Sequence, residues 1–203
     1  MIAILKWAGL GLLALLVLFV VVGFLLPSDY HIERSVEIEA EPARVHALVG
    51  DLQRWPDWTP WQEIDPSIET IYGEVTSGVG AHQSWSGKSG GGKLTFTKCD
   101  PETGVAYDMY FDGDDNLVLG EMRYEAAGGG TRVTWTMSGE FGANLIGRYF
   151  GLMMGPMIEP MFDDGLAKLK TQVETSVPAA PPADPMEREP GGEAEDEPAS
   201  AAA

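Results

Sequence analysis

The sequence predicts an α+β fold in which a curved antiparallel β-sheet packs on one long C-terminal α-helix, preceded by one transmembrane helix. Three observations carry that expectation. Trp7 to Leu26 form an apolar run without a charged side chain, the middle of the chain reads as short alternating segments, and Leu145 to about Ser176 shows apolar residues at helical spacing.

A helix needs about 20 apolar residues to cross a bilayer, and the first run has that length. A cleaved leader would have a shorter apolar core, roughly 7 to 15 residues, ending in a small-x-small site. Here Leu25 and Leu26 run instead into Pro27-Ser28-Asp29. A buried helix of a soluble core would carry a polar stripe, and the run has none, so it reads as an uncleaved anchor. Lys6 and the amino terminus flank it directly, whereas Arg34 and Arg44 fall in folded sequence. The positive-inside rule then predicts the N-terminus inside and the domain outside, as in a single-pass protein of a bacterial inner membrane facing the periplasm.

Composition divides the chain into residues 1–29 as anchor and linker, 30–177 as one folded domain and 178–203 as a disordered tail. The tail is rich in Pro, Ala, Gly and Glu, with Met186 as its single bulky apolar residue, too little to drive collapse. Net charge is −18, of which the tail supplies −6 and the domain −13, Lys6 adding one positive charge. That sign excludes nucleic acid, whose phosphates need clustered Lys and Arg. It equally excludes a basic patch for anionic lipid. A single cysteine, Cys99, rules out an intrachain disulfide.

Within the domain, Tyr30 to Ala40 alternates: Tyr30, Ile32, Val36, Ile38 and Ala40 on one face, acids and His31 on the other, with Arg34 intruding on the apolar face. This is a half-buried strand. Glu41-Pro42 opens a helix that reaches Asp51 with Val45, Leu48, Val49 and Leu52 inward. Trp55-Pro56-Asp57-Trp58-Thr59-Pro60-Trp61 follows as a compact, lid-like connection punctuated by proline. Six strands are then predicted at Ile68–Glu74, Ala81–Ser86, Lys93–Cys99, Val105–Phe111, Leu117–Ala126 and Thr131–Phe141. Turns of Gly and Asp separate them, Gly128-Gly129-Gly130 and Asp112–Asn116 most plainly. In the closing helix Ile158, Phe162, Leu166, Leu169 and Val173 share a face, and Pro156 and Pro160 are expected to break or kink it.

Motifs for chemistry are sparse. Gly87-Lys88-Ser89-Gly90-Gly91 matches the letters of a nucleophile elbow, yet it joins two strands where that elbow joins a strand to a helix. His31, His46 and His82 lie on three elements without zinc spacing, and Asp112, Asp114 and Asp115 lack the order of a calcium loop, so neither a metal nor a cofactor is expected. Arg34 needs either an acidic partner, an anionic ligand or a route to solvent along its methylenes.

Several strings, taken together, resemble one superfamily: Val36-Glu37-Ile38-Glu39-Ala40 before Glu41-Pro42, the Trp55–Trp61 string, Gly78-Val79-Gly80-Ala81, Ser84-Trp85, Gly129-Gly130-Thr131-Arg132-Val133-Thr134-Trp135 and Gly147-Arg148-Tyr149-Phe150. These are similar to the START-like, Bet v 1-like (SRPBCC) superfamily and, within it, to polyketide cyclase/dehydrase-type proteins, over nearly all of residues 30–177. The resemblance implies a helix-grip fold enclosing an apolar cavity. Its members bind lipids, sterols, polyketides or other apolar molecules, and some catalyse; no catalytic string is present here to carry over.

The expected function is membrane-anchored binding of a hydrophobic small molecule or lipid in an internal cavity. Expected lining residues, chosen from inferred inward faces and the lid, are Trp58, Trp61, Trp85, Tyr107, Met109, Met122, Tyr124, Trp135, Phe150, Met153 and Met157. Two alternatives stay open: a cyclase-like enzyme with an ionisable group inside the cavity, and a membrane-tethered adaptor without a ligand. A three-residue tether spans about 10 Å, so the domain is expected to stay close to the bilayer.

Overall fold

Alternating side chains along the middle of the chain produce one seven-stranded antiparallel sheet, and the apolar face of that sheet lies on the C-terminal helix. The structure is a computed structural model that describes residues 2–113 and 116–176. The expected acidic tail and Asp114 and Asp115 of the expected hairpin turn lie outside the described residues.

Helix α1 (Ile2–Leu25) is followed by strand β1 (Asp29–Ile38), helix α2 (Pro42–Val49), a 3-10 helix (Leu52–Asp57) and the short helix α3 (Trp61–Ile64). Strands β2 (Glu69–Tyr72), β3 (His82–Gly87), β4 (Gly90–Asp100), β5 (Gly104–Phe111), β6 (Val118–Ala127) and β7 (Gly130–Glu140) form a meander, and helix α4 (Leu145–Thr175) ends the described domain. The sheet order is β1-β7-β6-β5-β4-β3-β2, so α2, the 3-10 helix and α3 make the crossing from one edge strand to the other. A register shift between Phe96 and Lys98 marks a bulge in β4, a device that bends a strand. Gly128 and Gly129, with φ of 57° and 94°, make the two-residue turn between β6 and β7, a hairpin that needs positive φ at both positions.

The Trp-Pro-x-Trp string is not a lid. A helix leaves its last carbonyls without partners, and two indoles supply them: Trp55 Nε1 donates to Val49 O at 2.9 Å and Trp58 Nε1 to Leu48 O at 3.4 Å. Thr59 Oγ1 donates to Trp55 O at 2.8 Å, which closes the segment on itself. Both indoles are thereby turned into the core, where they are almost fully buried.

Helix α4 does not break at its prolines; it runs unbroken from Leu145 to Thr175. Pro156 and Pro160 are on its exposed side, where a carbonyl left without its helical donor can still meet solvent. Inward, Met154, Phe162, Gly165, Leu166, Leu169 and Val173 are buried, and this stripe on the sheet outweighs the local cost of the prolines. Arg34, the exception on the apolar face of β1, pairs with two carboxylates of α4, Glu159 and, at 3.3 Å, Asp163. Arg44 Nη2 donates to Val173 O and Ser176 O at 2.5 and 2.6 Å, so the end of α4 is tied back to α2.

Trp135 joins these layers. Phe162 of α4 stacks on it at 3.9 Å and 3°, and Trp58 and Trp61 meet it edge-on at 5.4 and 6.2 Å. Phe162→Ala is expected to lower stability by about 3–5 kcal/mol, the range for deleting a buried aromatic ring. Tyr107→Phe, which strands the Trp135 indole N–H, should cost about 1–3 kcal/mol. Denaturant unfolding of the full chain in detergent micelles, followed by tryptophan fluorescence, measures both.

Candidate ligand-binding site

Strand pairing arranges the inner face of the sheet in rows. Leu94, Met109, Val118, Gly139 and Tyr30 form one row across β4, β5, β6, β7 and β1. The next contains Phe96, Tyr107, Gly120, Met137 and Ile32, and a third contains Cys99, Val105, Met122, Trp135 and Arg34. Gly120 makes the middle row work: a Cβ there would sit 2.1 Å from the Tyr107 ring, so its absence lets that ring lie across the strand. Tyr107 Oη then accepts from Trp135 Nε1 at 2.9 Å, and burial pushes its phenol up to about 12.

The middle of the grip is filled. Of the residues expected to line a cavity, Trp58, Tyr107, Met122, Tyr124 and Trp135 are buried and packed as core, joined by Trp55 and Phe96 in a network of ring contacts at 5.5 to 6.5 Å. Trp61, Trp85 and Met109 are half-buried against that core. Of the half-buried residues, Tyr30 and Phe141 meet at 5.2 Å where β1 begins and β7 ends, and Met109 shares the row of Tyr30. Phe150, Met153 and Met157 do not face the interior; they lie exposed on the outer side of α4. Their three- and four-residue spacing is helical, but the inward stripe is the one through Met154 and Phe162. Two hollows among the described residues are superficial: one of about 510 Å³ lies over Glu33, Glu37, Arg123, Glu125 and Arg132, and one of about 470 Å³ runs along α1.

Polar clusters resolve the motifs. Ser89 of the elbow-like string donates through its hydroxyl and its backbone N–H to Asp65 Oδ2, at 2.6 and 2.9 Å, while Ser67 donates likewise to Asp65 Oδ1. Ser89 is therefore a clamp between the β3–β4 hairpin and the turn after α3, and these hydrogen bonds hold the Asp65 carboxyl well below the usual range. Sequence spacing did not reveal that His46, Cys99 and Tyr124 meet: Cys99 Sγ lies 3.5 Å from His46 Nε2, and Tyr124 Oη 3.5 Å from His46 Nδ1. Burial lowers the His46 pKa, partly offset by Asp100, and burial pushes the Tyr124 phenol up. A neutral imidazole donates through one ring nitrogen and accepts at the other, so it can hydrogen-bond to both the thiol and the phenol. Among the described residues no group of three or more His, Cys, Asp or Glu side chains could hold a metal ion.

Helix α1 is docked on the start of α4. Phe19 and Tyr149 stack at 4.4 Å and 9°, and Tyr149 Oη donates to Phe19 O at 2.7 Å. Arg148 Nη1 donates to Phe24 O and Leu26 O at 3.2 and 3.3 Å, a cation on the carbonyl end of α1, where the helix dipole favours it.

The family model for polyketide cyclase / dehydrase and lipid transport proteins matches residues 29–174. The chain belongs to this family. Solved structures with the same fold include protein CV1439 from Chromobacterium violaceum, 16% identical with a TM-score of 0.50 over 74% of this chain and 100% of that one. KanY is 21% identical with a TM-score of 0.53 over 73% and 99%. Ms6760 from Mycobacterium smegmatis is 15% identical with a TM-score of 0.51 over 71% and 91%. The sheet gripping α4 is thus the helix-grip, Bet v 1-like fold of this cyclase/dehydrase and lipid transport family, and the family supports binding of a hydrophobic ligand. No curated protein matches the sequence.

Two pH effects follow for this family member. Asp65 has a depressed pKa in the folded chain, so its contribution is present above the ordinary aspartate range and is lost only as pH falls through the folded value. Ser89→Ala should lower Tm at neutral pH, and the gap to the parent chain should close on strong acidification. His46 takes up its proton below its ordinary 6.5 in the folded chain. Unfolded chain binds that proton first, so acidification through and below 6.5 should reduce stability, and His46→Gln should flatten the slope. Tm measured against pH for the full chain and both variants reads these effects.

Proposed function

We propose that this chain is a membrane-attached member of its family that binds an apolar small molecule or lipid at the end of the grip next to α1. The observation that carries the reading is the docking of α1 on the start of α4. Lys6–Leu25 is long and apolar enough to cross a membrane and is almost entirely exposed, and its C-terminal end is held by Arg148 and Tyr149. Such side-chain contacts to the folded domain favour a retained anchor over a leader that is removed. They also set the half-buried end of the interior beside the span.

That end is suited to opening. Met109 and Met154 are unbranched and adaptable, and Tyr30 meets Phe141 at a tilted 5.2 Å. The apolar ligand displaces these side chains, whereas the Trp58–Trp135–Phe162 stack stays as the floor. Apolar walls with few polar groups are what such pockets require. The domain lies outside the membrane with the N-terminus inside, on the periplasmic side of a bacterial inner membrane, in keeping with Lys6 beside the span.

Full chain extracted in mild detergent should retain an apolar compound, visible as added mass in native mass spectrometry and recoverable by organic extraction. Met109→Trp should reduce that retention several-fold with little loss of Tm. Absence of any retained compound, together with no binding across a panel of phospholipids, fatty acids and sterols, would falsify the reading.

A further inference from the structure

Resting on the membrane-attached reading, we propose that the first half of α4, Leu145 to Met157, is itself embedded in the bilayer leaflet next to the C-terminal end of α1, with its outer stripe in contact with lipid acyl chains. Ile146, Phe150, Met153 and Met157 follow one another at steps of four, three and four residues, which places them on one side of the helix. They are 75%, 47%, 64% and 41% exposed. Large apolar side chains in a continuous exposed stripe mark a surface that something apolar covers.

Contacts with α1 decide what covers it. A Cβ on Gly23 would lie 3.1 Å from the Tyr149 ring and 3.2 Å from Leu145, and Phe19 stacks on Tyr149, so the first turn of α4 crosses α1 between Phe19 and Gly23. Phe19 lies six residues before the end of α1, about 9 Å along its axis at 1.5 Å per residue. Tyr149 is level with it. If Lys6–Leu25 crosses the hydrocarbon layer, the first turns of α4 lie at the depth of acyl chains, and the stripe continues the apolar surface of the span.

Several polar groups at this place have partners within the protein, which matters in an apolar medium, where each unpaired backbone group is costly. Asn144 Oδ1 accepts from Gly147 N at 3.0 Å, capping the start of α4. Arg148 is the sole charge between Glu140 and Glu159, and it is turned inward: besides Phe24 O and Leu26 O it donates to Gly142 O at 2.7 Å through Nη2 and 3.0 Å through Nε. Carboxylates reappear at Glu159 and Asp163, where Arg34 meets them. The chemistry therefore changes within two turns from lipid-compatible to aqueous, and that boundary is the interface.

The test uses the full chain with Cys99→Ala and one new cysteine at a time, labelled with an environment-sensitive fluorophore, in phosphatidylcholine–phosphatidylglycerol vesicles containing nitroxide-labelled phosphatidylcholine. Leu16→Cys reports the span, Phe150→Cys and Met153→Cys report the stripe, and Glu102→Cys on the exposed β4–β5 turn reports water. Nitroxide quenching at 150 and 153 that is several-fold above that at 102 and approaches that at 16 supports the proposal. Strong quenching at 16 with iodide-accessible probes at 150 and 153 overturns it and leaves the anchor intact. Lack of nitroxide quenching at 16 overturns membrane attachment itself. Probes at 150 and 153 shielded from both quenchers show a protein surface, such as a second copy of the chain, in place of lipid, and overturn the proposal as well.

Discussion

The stack of Phe162 on Trp135 is the joint on which the arrangement depends. A curved sheet and a long helix share one core only if the helix comes close, and Gly165 allows this: a Cβ there would stand 3.1 Å from the Trp135 ring. The same indole receives the edges of Trp58 and Trp61 and donates to Tyr107. One side chain therefore connects α4, the crossing between the edge strands and the far side of the sheet. Tyr107 reaches it because Gly120 leaves its ring room.

A filled centre shifts attention to the ends. Towards α2 the interior closes on His46, Cys99 and Tyr124, with weak, long contacts among them. Towards α1 it closes on half-buried methionine and aromatic side chains, whose packing is easier to rearrange than that of buried, interlocked rings. The family role in binding apolar ligands and the position of α1 favour the same end, which is why the proposed entry lies there rather than at the polar hollow over β1, β6 and β7. That hollow has its charges already engaged, Arg132 with Glu37 at 2.5 Å and Arg123 with Glu125 at 3.2 Å.

The strand segments, the glycine hairpin between the last two strands and the inward stripe of α4 were legible because each is a local period or a local backbone demand. Misreadings came where a distant partner decided the outcome. Trp55 and Trp58 looked like a lid, since only the fold shows that their N–H groups cap α2. Pro156 and Pro160 looked like sites of a break, since the sheet on which α4 runs as one continuous helix lies elsewhere in the chain. Phe150, Met153 and Met157 looked like lining residues because their spacing is helical, and spacing names a stripe without saying which way it faces.

By itself the sequence determined the apolar run of α1 and the α+β class, because composition and periodicity are properties of neighbouring residues; the helix-grip family came from the resemblance of its local strings. Tertiary structure decided that the grip is filled at its centre, that Arg34 is neutralised by Glu159 and Asp163, and that α1 folds back on α4 through Arg148 and Tyr149. Those outcomes depend on residues more than a hundred positions apart. Their energies come from burial and hydrogen bonding that exist only once the sheet has brought them into contact.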